Sequence, residues 1–552
     1  FRSLAFSLVA LRLVQLQVVR GGNYEARAET QHRFKREDPA PRGNILDRNG
    51  KLLASTIASK SIWLYKPLMT DEDILRASAL IASVLGSSVA DVHQRIRSGP
   101  DYVRVARHVD LESAAKIAAA GISGLELSHD PLRYYPNGRA AAQLLGFCNR
   151  DGKGVEGLER QFDIYLTGQD GYYEFSRDAL NKPISTESDS SVDVRPGFDL
   201  VLSLDLWIQT VLEEEMLAAC EKSEPTAAVV MVADVKTGEV LAMASWPFYD
   251  PNRYSVYPVA NFRNRAVADI YEPGSMAKMY TAAAAFERGI MSPDTIIDCE
   301  GGKLYLHGRT IKDAGNSHYG KISLTEVIAK SSNVGTAKIG EAVGSQGLFD
   351  TLCSFGLNER SGIGLRGEEK SWLYPPAKWS KKSVASVSFG YELCITPLAL
   401  IRSYCAVANN GMLPPLSVVE MVKDDQGRQV TIPGVQLQPR RAISQRTSEQ
   451  LRKVLREVVT SGTCKVANIS EYAIAGKTGT AIKVVDGKYD WSKTLSSFIG
   501  FAPFDDPRIV VLVSLDQPTK AQYGGTVAGP AVANTIKRSL EYLGVPHPPK
   551  RD

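Results

Sequence analysis

Residues 272–278 read Glu-Pro-Gly-Ser-Met-Ala-Lys, and the interpretation of the whole chain starts from them. Proline and glycine directly before Ser275 indicate a turn into a helix, which the alanine-rich segment 279–290 continues through a packed domain. Ser275 and Lys278 stand three residues apart, so they share one face of that helix. A serine becomes nucleophilic when a neighbouring base removes its proton. The pattern therefore predicts a nucleophilic serine at a helix N-terminus, where free N–H groups favour an oxyanion.

The Ser-x-x-Lys spacing alone is weak, because a chain of this length should contain roughly two matches by chance. It has two, at 113–116 and at 275–278. Nothing around Ser113 points its side chain at a ligand, and we interpret the first match as a solvated helix face.

A second cationic motif is expected, because lysine is a poor base at its usual pKa of about 10.4 and needs burial or another cation to lose its proton. Lys-Thr-Gly occurs at 236–238 and at 477–479. The first lies between two β-prone runs and predicts a hairpin turn. The second leads into the apolar run 482–485, so its lysine and hydroxyls would project from a strand whose small residues leave room for a substrate backbone.

A Ser-x-Asn pattern at Ser331 and Asn333 lies between these motifs. Alone, it is explained more simply as a helix cap. The order Ser-x-x-Lys, Ser-x-Asn and Lys-Thr-Gly within one domain is what carries information.

In these three motifs the chain resembles the penicillin-binding proteins and serine β-lactamases. The segments RGNILDRNG (42–50), RYYP (133–136) and GVEGLE (154–159) look like the pedestal of class B penicillin-binding proteins. The segments SFGY (388–391) and YGG (523–525) look most like the division-type, septal peptidoglycan D,D-transpeptidases.

The resemblance implies a site in which Ser275 attacks the D-Ala-D-Ala carbonyl of a stem peptide and passes the acyl group to an amine on a neighbouring strand. Lys278 would be the base, Ser331 would relay a proton to the leaving amine, and Asn333 would hold the substrate amide. The terminal carboxylate would be bound by Lys477, Thr478, Gly479 and Thr480, and the N–H groups of Ser275 and Thr480 would form the oxyanion hole.

The same resemblance implies no cofactor and no metal, and acylation of the serine by β-lactam antibiotics. The expected partners are a membrane glycosyltransferase and other division proteins. The expected location is the plasma (inner) membrane, with a single-pass anchor and the catalytic domain on the periplasmic or outer face. Ala277 and Glu392 depart from the residues that many relatives carry at these positions.

Composition agrees with a large enzyme without a nucleic-acid role. The chain has 552 residues, of which 44% are hydrophobic, and a formal net charge of +4, which is too small for a nucleic-acid partner. The seven cysteines form no Cys-x-x-Cys pair, so zinc is disfavoured, and the odd count leaves one thiol free or intermolecular.

The chain is predicted to contain a membrane-helix remnant at 1–20, a pedestal at 21–195, a transpeptidase domain at 196–545 and a tail at 546–552. The alternative for the apolar N-terminus is an amphipathic helix packed on its own domain. The boundary follows the acidic, aperiodic segment 185–193 and Pro196-Gly197. Strand-like runs at both ends of the second domain, with helices between, predict an α+β fold with a central antiparallel sheet closed by its termini.

Two rival functions stay open. A D,D-carboxypeptidase or β-lactamase-like hydrolase would pass the acyl group to water, and a non-catalytic division scaffold or β-lactam sensor would keep only the fold. A Ser-His-Asp hydrolase is disfavoured, because none of His307, His318 and His547 adjoins a motif. The sequence does not separate septal from spore-cortex synthesis.

Overall fold

The computed structural model describes residues 2–19, 33–177, 183–184, 192–431 and 437–547. The α-helices there are α1 (Arg2–Val14), α2 (Asp71–Leu85), α3 (Val89–Ser98), α4 (Leu111–Ala118), α5 (Ala142–Leu145), α6 (Gly157–Gln161), α7 (Asp163–Leu166), α8 (Leu206–Ser223), α9 (Arg265–Ala268), α10 (Lys278–Glu287), α11 (Leu324–Ala329), α12 (Asn333–Ser354), α13 (Ser383–Ser388), α14 (Pro397–Ala408), α15 (Gln445–Thr460), α16 (Gly524–Val527) and α17 (Gly529–Tyr542).

The strands are β1 (Arg33–Asp38), β2 (Ile45–Leu46), β3 (Leu52–Ile57), β4 (Lys60–Tyr65), β5 (Tyr102–Val109), β6 (Leu125–His129), β7 (Leu132–Tyr134), β8 (Gly171–Arg177), β9 (Pro183–Ile184), β10 (Asp199–Leu202), β11 (Ala227–Asp234), β12 (Val240–Trp246), β13 (Ile296–Asp298), β14 (Lys303–Leu306), β15 (Arg309–Lys312), β16 (Lys321–Ser323), β17 (Met412–Leu413), β18 (Val419–Lys423), β19 (Gln429–Val430), β20 (Arg440–Arg441), β21 (Ala475–Val485), β22 (Lys488–Ala502) and β23 (Ile509–Asp516).

A five-stranded antiparallel sheet forms the centre of the second half of the chain, in the order β12-β11-β23-β22-β21. The predicted hairpin around Lys236-Thr237-Gly238 is present as β11 and β12, and β11 pairs with β23 along its whole length. The sheet is therefore closed by strands from the two ends of the domain, which confirms the predicted α+β fold with flanking helices.

Both faces of this sheet are buried. On β11, Val230 and Val232 pack into the cluster that contains α8 and α17 residues, whereas Val229 and Met231 pack into the cluster that contains α10 and α14 residues. Successive strand side chains point to opposite faces, so a strand that is covered on both sides must be apolar throughout. This explains why β11 reads as an unbroken apolar run.

A second sheet joins segments that lie far apart in the sequence, in the order β19-β18-β10-β2-β3-β7. Within it, β10 is parallel to β2 and antiparallel to β18. At this junction Gly43 lies so close to the backbone that an added Cβ would sit 2.0 Å from the carbonyl oxygen of Phe198. The domain boundary near residue 195 stays a prediction, and most of the segment 185–193 lies outside the described residues.

The three pedestal segments, RGNILDRNG, RYYP and GVEGLE, meet at a buried carboxylate. Glu159 is 0% exposed and accepts from Arg42 Nε at 2.6 Å and from Arg133 Nε at 2.7 Å. Burial alone would raise the pKa of Glu159, but the two guanidinium groups outweigh it and lower the pKa below its usual value. Removing one partner of such a buried group typically costs about 3–5 kcal/mol, so the RGNILDRNG, RYYP and GVEGLE segments depend on one another.

A smaller unit packs α2, α3 and α4 against the sheet β5-β4-β6. Ser113 and Lys116 lie on α4, and Lys116 Nζ contacts the exposed carboxylate of Glu112 at 2.8 Å. The first Ser-x-x-Lys match is thus a solvated helix face, as expected.

The N-terminal segment begins with α1, followed by a short π-helical turn at Gln15–Val19. Across the described ranges, no helix combines the length and the apolar character that crossing a bilayer requires.

Candidate active site

Ser275 lies in a short 3₁₀ turn, Gly274–Ala277, that runs directly into α10. Gly274 has φ +53°, and its N–H donates to the carbonyl of Gly390 at 3.1 Å. Gly390 itself has φ +95°, and a Cβ there would sit 2.0 Å from the carbonyl oxygen of Gly274. Both positions need glycine because the turn 274–277, which carries the predicted nucleophile and is named the nucleophile turn, meets the SFGY segment backbone to backbone. Ser275 is half-buried at the start of the helix.

The helix behind Ser275 passes through the middle of the domain. Its four consecutive alanines, 282–285, are each 0% exposed. Thr281 Oγ1 donates to the carbonyl of Ser388 at 2.7 Å, and Tyr404 Oη donates to the carbonyl of Met276 at 3.2 Å. Small side chains let α10 pack closely on its neighbours, so the turn that carries the serine is held from several sides.

Lys278 begins α10 and is 0% exposed. Its Nζ lies 2.5 Å from the carbonyl oxygen of Ser331, 3.1 Å from Ser331 Oγ and 2.8 Å from Asn333 Oδ1. The carbonyl and the amide oxygen can only accept a hydrogen bond, whereas the hydroxyl can also donate. A neutral Lys278 can therefore keep all three contacts only if the Ser331 hydroxyl donates to it.

The Ser-x-Asn motif is held by residues that the sequence did not single out. Ser331 has φ +60°, and the cap of α12 is the intervening Ser332, whose Oγ accepts from Gly335 N at 3.0 Å. Ser332 Oγ also donates to the buried carboxylate of Asp313, which accepts from the N–H of Val334 at 3.0 Å. Because Ser332 does the capping, Ser331 and Asn333 are free to face Lys278.

The Lys-Thr-Gly motif at 477–479 lies on β21, an edge strand that pairs with β22 in the described sheet. Lys477 is 0% exposed, and its Nζ lies 3.2 Å from Ser331 Oγ. Thr478 Oγ1 lies 2.7 Å from Thr463 Oγ1, and Thr480 Oγ1 accepts from Gly524 N at 3.3 Å. Strand β21 therefore brings its lysine to the same serine hydroxyl that Lys278 contacts.

Both lysines are electrostatically disfavoured as cations. Burial lowers the pKa of Lys278 well below its usual range, the charge of Lys477 lowers it further, and Asp313 opposes these effects. Burial lowers the pKa of Lys477 to about 7. A lysine with a depressed pKa can accept a proton near neutral pH, so the arrangement can supply a base for Ser275.

The nucleophile turn and β21 are packed against each other. An added Cβ on Gly479 would sit 2.9 Å from Met276 Cγ, and one on Gly274 would sit 3.1 Å from Ala481 Cβ. Gly479 was expected to make room for a substrate. In the structure it also makes room for the residue after the nucleophile.

A second group of side chains closes the same edge of the site. Glu272 Oε1 accepts from the N–H of Glu392 at 2.9 Å and from Tyr489 Oη at 3.1 Å. Tyr391 Oη accepts from the N–H of Ile482 at 3.4 Å, and its ring meets that of Tyr489 edge to face at 5.4 Å. Glu392, one of the departures from the family pattern, has φ +60°, and its backbone N–H is held by the carboxylate of Glu272.

The described part of the chain contains no group of three or more histidine, cysteine, aspartate or glutamate side chains that could hold a metal ion. His307 contacts Glu341, His318 contacts the carbonyl of Gly301, and His547 stacks on Tyr472.

The fold is that of a serine acyl-transfer enzyme, and the candidate site holds two buried lysines that both contact the Ser331 hydroxyl. The family model described as "Penicillin binding protein transpeptidase domain" matches residues 228–537, and the one described as "Penicillin-binding Protein dimerisation domain" matches residues 37–202. The chain therefore belongs to the penicillin-binding protein transpeptidase family.

Relatives match over nearly the full length. The chain is 33% identical to the peptidoglycan D,D-transpeptidase FtsI of Escherichia coli, covering 97% of this chain and 90% of the relative. It is 32% identical to the stage V sporulation protein D of Bacillus subtilis, covering 99% and 85%. The crystal structure of penicillin-binding protein 3 from Mycobacterium tuberculosis in complex with aztreonam has a TM-score of 0.72 at 29% identity, covering 93% of this chain and 98% of that one.

Proposed function

We propose that this protein is a peptidoglycan D,D-transpeptidase that cross-links stem peptides through an acyl-enzyme on Ser275. The observation that carries the proposal is the Ser331 hydroxyl, which lies 3.1 Å from Lys278 Nζ and 3.2 Å from Lys477 Nζ, beside the turn that presents Ser275. The family and the FtsI relative, which is named a peptidoglycan D,D-transpeptidase, support peptidoglycan as the substrate, and the resemblance in the motifs implies a stem peptide that ends in D-Ala-D-Ala.

In the acylation step, Ser275 Oγ attacks the carbonyl carbon of the penultimate D-Ala while neutral Lys278 takes the hydroxyl proton. The bond from that carbon to the terminal D-Ala nitrogen then breaks. The proton passes from Lys278 through the Ser331 hydroxyl to the leaving amine, so the departing D-Ala is neutralised. An amine of a second strand then attacks the ester carbon and loses a proton to Lys278. The bond from that carbon to Ser275 Oγ breaks, and Lys278 returns the proton to Ser275 Oγ, so both residues recover their starting state.

The other motif residues bind and orient the substrate. The terminal carboxylate of the substrate is bound by the ammonium group of Lys477 and the hydroxyls of Thr478 and Thr480, and Gly479 leaves room for the substrate backbone. The N–H groups of Ser275 and Thr480 stabilise the oxyanion, and one such donor is commonly worth about 2.7–4 kcal/mol. Asn333, which already accepts from Lys278, holds the substrate amide. β-Lactams, which carry a carboxylate and a strained amide, acylate the same serine.

The main alternative is a hydrolase that gives the acyl group to water. We expect purified protein to convert a thioester stem-peptide analogue mainly to the aminolysis product when a D-amino acid is present, and mass spectrometry of the products measures this. A parallel reaction without the D-amino acid gives the hydrolysis background. Hydrolysis alone, with no aminolysis product at any acceptor concentration, would make the protein a carboxypeptidase or β-lactamase.

The cellular setting is also part of the proposal. We place the protein at the outer face of the plasma membrane, held by a single N-terminal anchor that includes residues 1–20, and working with a membrane glycosyltransferase and other division proteins. The family segments SFGY and YGG favour the septal type. A fluorescently tagged protein should collect at the division site of growing cells, and a signal confined to sporulating cells would assign it to spore-wall synthesis instead.

A further inference from the structure

A buried carboxylate, that of Asp313, holds the residues around the Ser-x-Asn motif. Asp313 is 8% exposed, and its oxygens accept from Ser332 Oγ at 3.0 and 2.9 Å and from the N–H of Val334 at 3.0 Å. The carbonyl oxygen of the preceding residue, Lys312, accepts from Asn333 Nδ2 at 2.9 Å. Two successive residues therefore fix the turn that carries the motif.

Asp313 forms no salt bridge with any residue in the described ranges, and its hydrogen-bond donors, a hydroxyl and a backbone N–H, are neutral. The lysines on the adjoining segments are exposed or paired with other carboxylates: Lys312 is exposed, Lys330 pairs with Glu326 at 2.9 Å, and Lys338 pairs with Glu300 at 2.6 Å. A buried carboxylate interacts most strongly with charges that are also shielded from water. The relevant partners of Asp313 are therefore the buried lysines of the site.

Two buried lysines and one buried carboxylate act on one another in the site. Lys278 and Lys477 are both 0% exposed. Burial lowers the pKa of Lys278, the charge of Lys477 lowers it further, and the charge of Asp313 raises it. The nearby thiols of Cys299 and Cys464 stay protonated at neutral pH, because burial raises the pKa of both. When one lysine is protonated and the other is neutral, the buried group carries no net charge.

Binding of the substrate changes this balance of charges. The substrate carboxylate, which is proposed to bind at Lys477, neutralises the charge that opposes protonation of Lys278. The charge of Asp313 is then unbalanced, and it favours the ammonium form of Lys278 that arises when the proton of Ser275 is taken. Aspartate has the same role in the Ser-His-Asp triad, where it stabilises the protonated histidine.

We propose that Asp313 is a positioning residue whose negative charge strengthens Lys278 as a base once the carboxylate of a substrate or a penicillin has neutralised Lys477. The inference rests on the proposed function, because it assumes that Lys278 is the base for acylation. It goes beyond a purely structural role, in which Asp313 would only hold the Ser-x-Asn turn and its charge would not matter.

Asp313→Asn removes the charge with little change of shape, because the amide oxygen can accept from Val334 and the amide N–H can donate to Ser332. Stopped-flow fluorescence with a reporter penicillin gives the acylation rate at each pH. Without the anion the ammonium of Lys278 is less stable, so the rise of the rate with pH should move about one unit lower. The plateau should fall about three- to tenfold, since one pKa unit is a factor of about ten in the stability of the ammonium.

Asp298→Asn is the matched control. It removes an exposed carboxylate on β13, where water and salt screen the charge, and should leave the rate and the profile unchanged. A double variant, Asp313→Asn with Lys477→Met, removes the two opposing charges together. Its rise with pH should return towards that of the wild type, although its rate is lower because Lys477 binds the penicillin carboxylate.

The inference is wrong if the Asp313→Asn profile keeps the wild-type midpoint, whether or not the rate falls, because Asp313 would then be only structural. It is also wrong if the double variant keeps the full shift of Asp313→Asn. If Asp313→Asn does not fold, the comparison of the double variant with Lys477→Met decides, and an unchanged midpoint overturns the inference. A wild type that penicillin does not acylate would contradict the proposed function itself, and this inference would fail with it.

Discussion

Replacing Ser275 with alanine is expected to abolish covalent labelling by a fluorescent penicillin. The residue lies at the start of α10 in a turn fixed by Gly274 and Gly390, and alanine fits the same turn without any change of backbone. The variant should keep the thermal stability of the wild type while its acylation rate falls below roughly one thousandth, because no other group can supply the attacking oxygen. Intact-protein mass spectrometry after incubation measures the adduct directly.

The chain offers a matched control in its other Ser-x-x-Lys sequence. Ser113→Ala changes the same residue type at the same distance from a lysine, but on the solvated helix α4. This variant should label at the wild-type rate. Labelling of Ser275→Ala at a comparable rate would mean that another residue is the nucleophile, and the non-catalytic scaffold would be favoured if the wild type failed to label.

Much of the fold could be predicted from local sequence patterns. The hairpin β11–β12 follows from two apolar runs joined by Lys236-Thr237-Gly238, and the strands β22 and β23 follow from similar runs near the C-terminus. Local periodicity identifies such elements because burial on both faces demands apolar side chains at successive positions. The mixed sheet that joins β10, β2 and β18 was not predicted, because its pairings cross more than 150 residues of sequence.

The candidate site was singled out for a different reason, because family resemblance connects three short patterns. In the structure the Ser331 hydroxyl contacts both Lys278 and Lys477, and Asn333 contacts Lys278. Residues outside the motifs gave no comparable signal. Asp313 holds the Ser331–Asn333 turn through Ser332 and a backbone N–H, and nothing in its local sequence marks it.

Glu272 was not singled out from the sequence, although its position in the chain offered a weak indication that it lies near the site. It stands directly before Pro273-Gly274 in the stretch that first indicated the serine, yet its partners Tyr489 and Glu392 come from distant segments. The importance of a carboxylate depends on which cations surround it. That information exists only after the chain has folded.

Lys278→Met is expected to slow penicillin acylation by about 10²–10⁴-fold, the usual contribution of a positioned general base. Methionine has a similar length and no charge, so it fits a fully buried position, but it leaves the oxygens of Ser331 and Asn333 without the donor that Lys278 supplies. An acceptor left without its donor costs about 1–3 kcal/mol, so the thermal melting temperature should fall, and stopped-flow fluorescence with a reporter penicillin measures the rate well below that temperature.

The pH dependence of the same rate separates loss of the base from a distorted site. In the wild type, acylation should rise with pH and level off well below the usual lysine pKa of about 10.4, because burial and the charge of Lys477 lower the pKa of Lys278 and the neutral amine is the active form. In Lys278→Met the rate should keep rising with pH, since hydroxide must then take the serine proton. Lys116→Met, on the exposed face of α4, should leave both rate and profile unchanged. A Lys278→Met variant that acylates within about threefold of the wild type would contradict this role, because the loss of a general base costs more than that. The proton of Ser275 would then leave by another route, and Lys477, acting through the Ser331 hydroxyl, would be the next group to test.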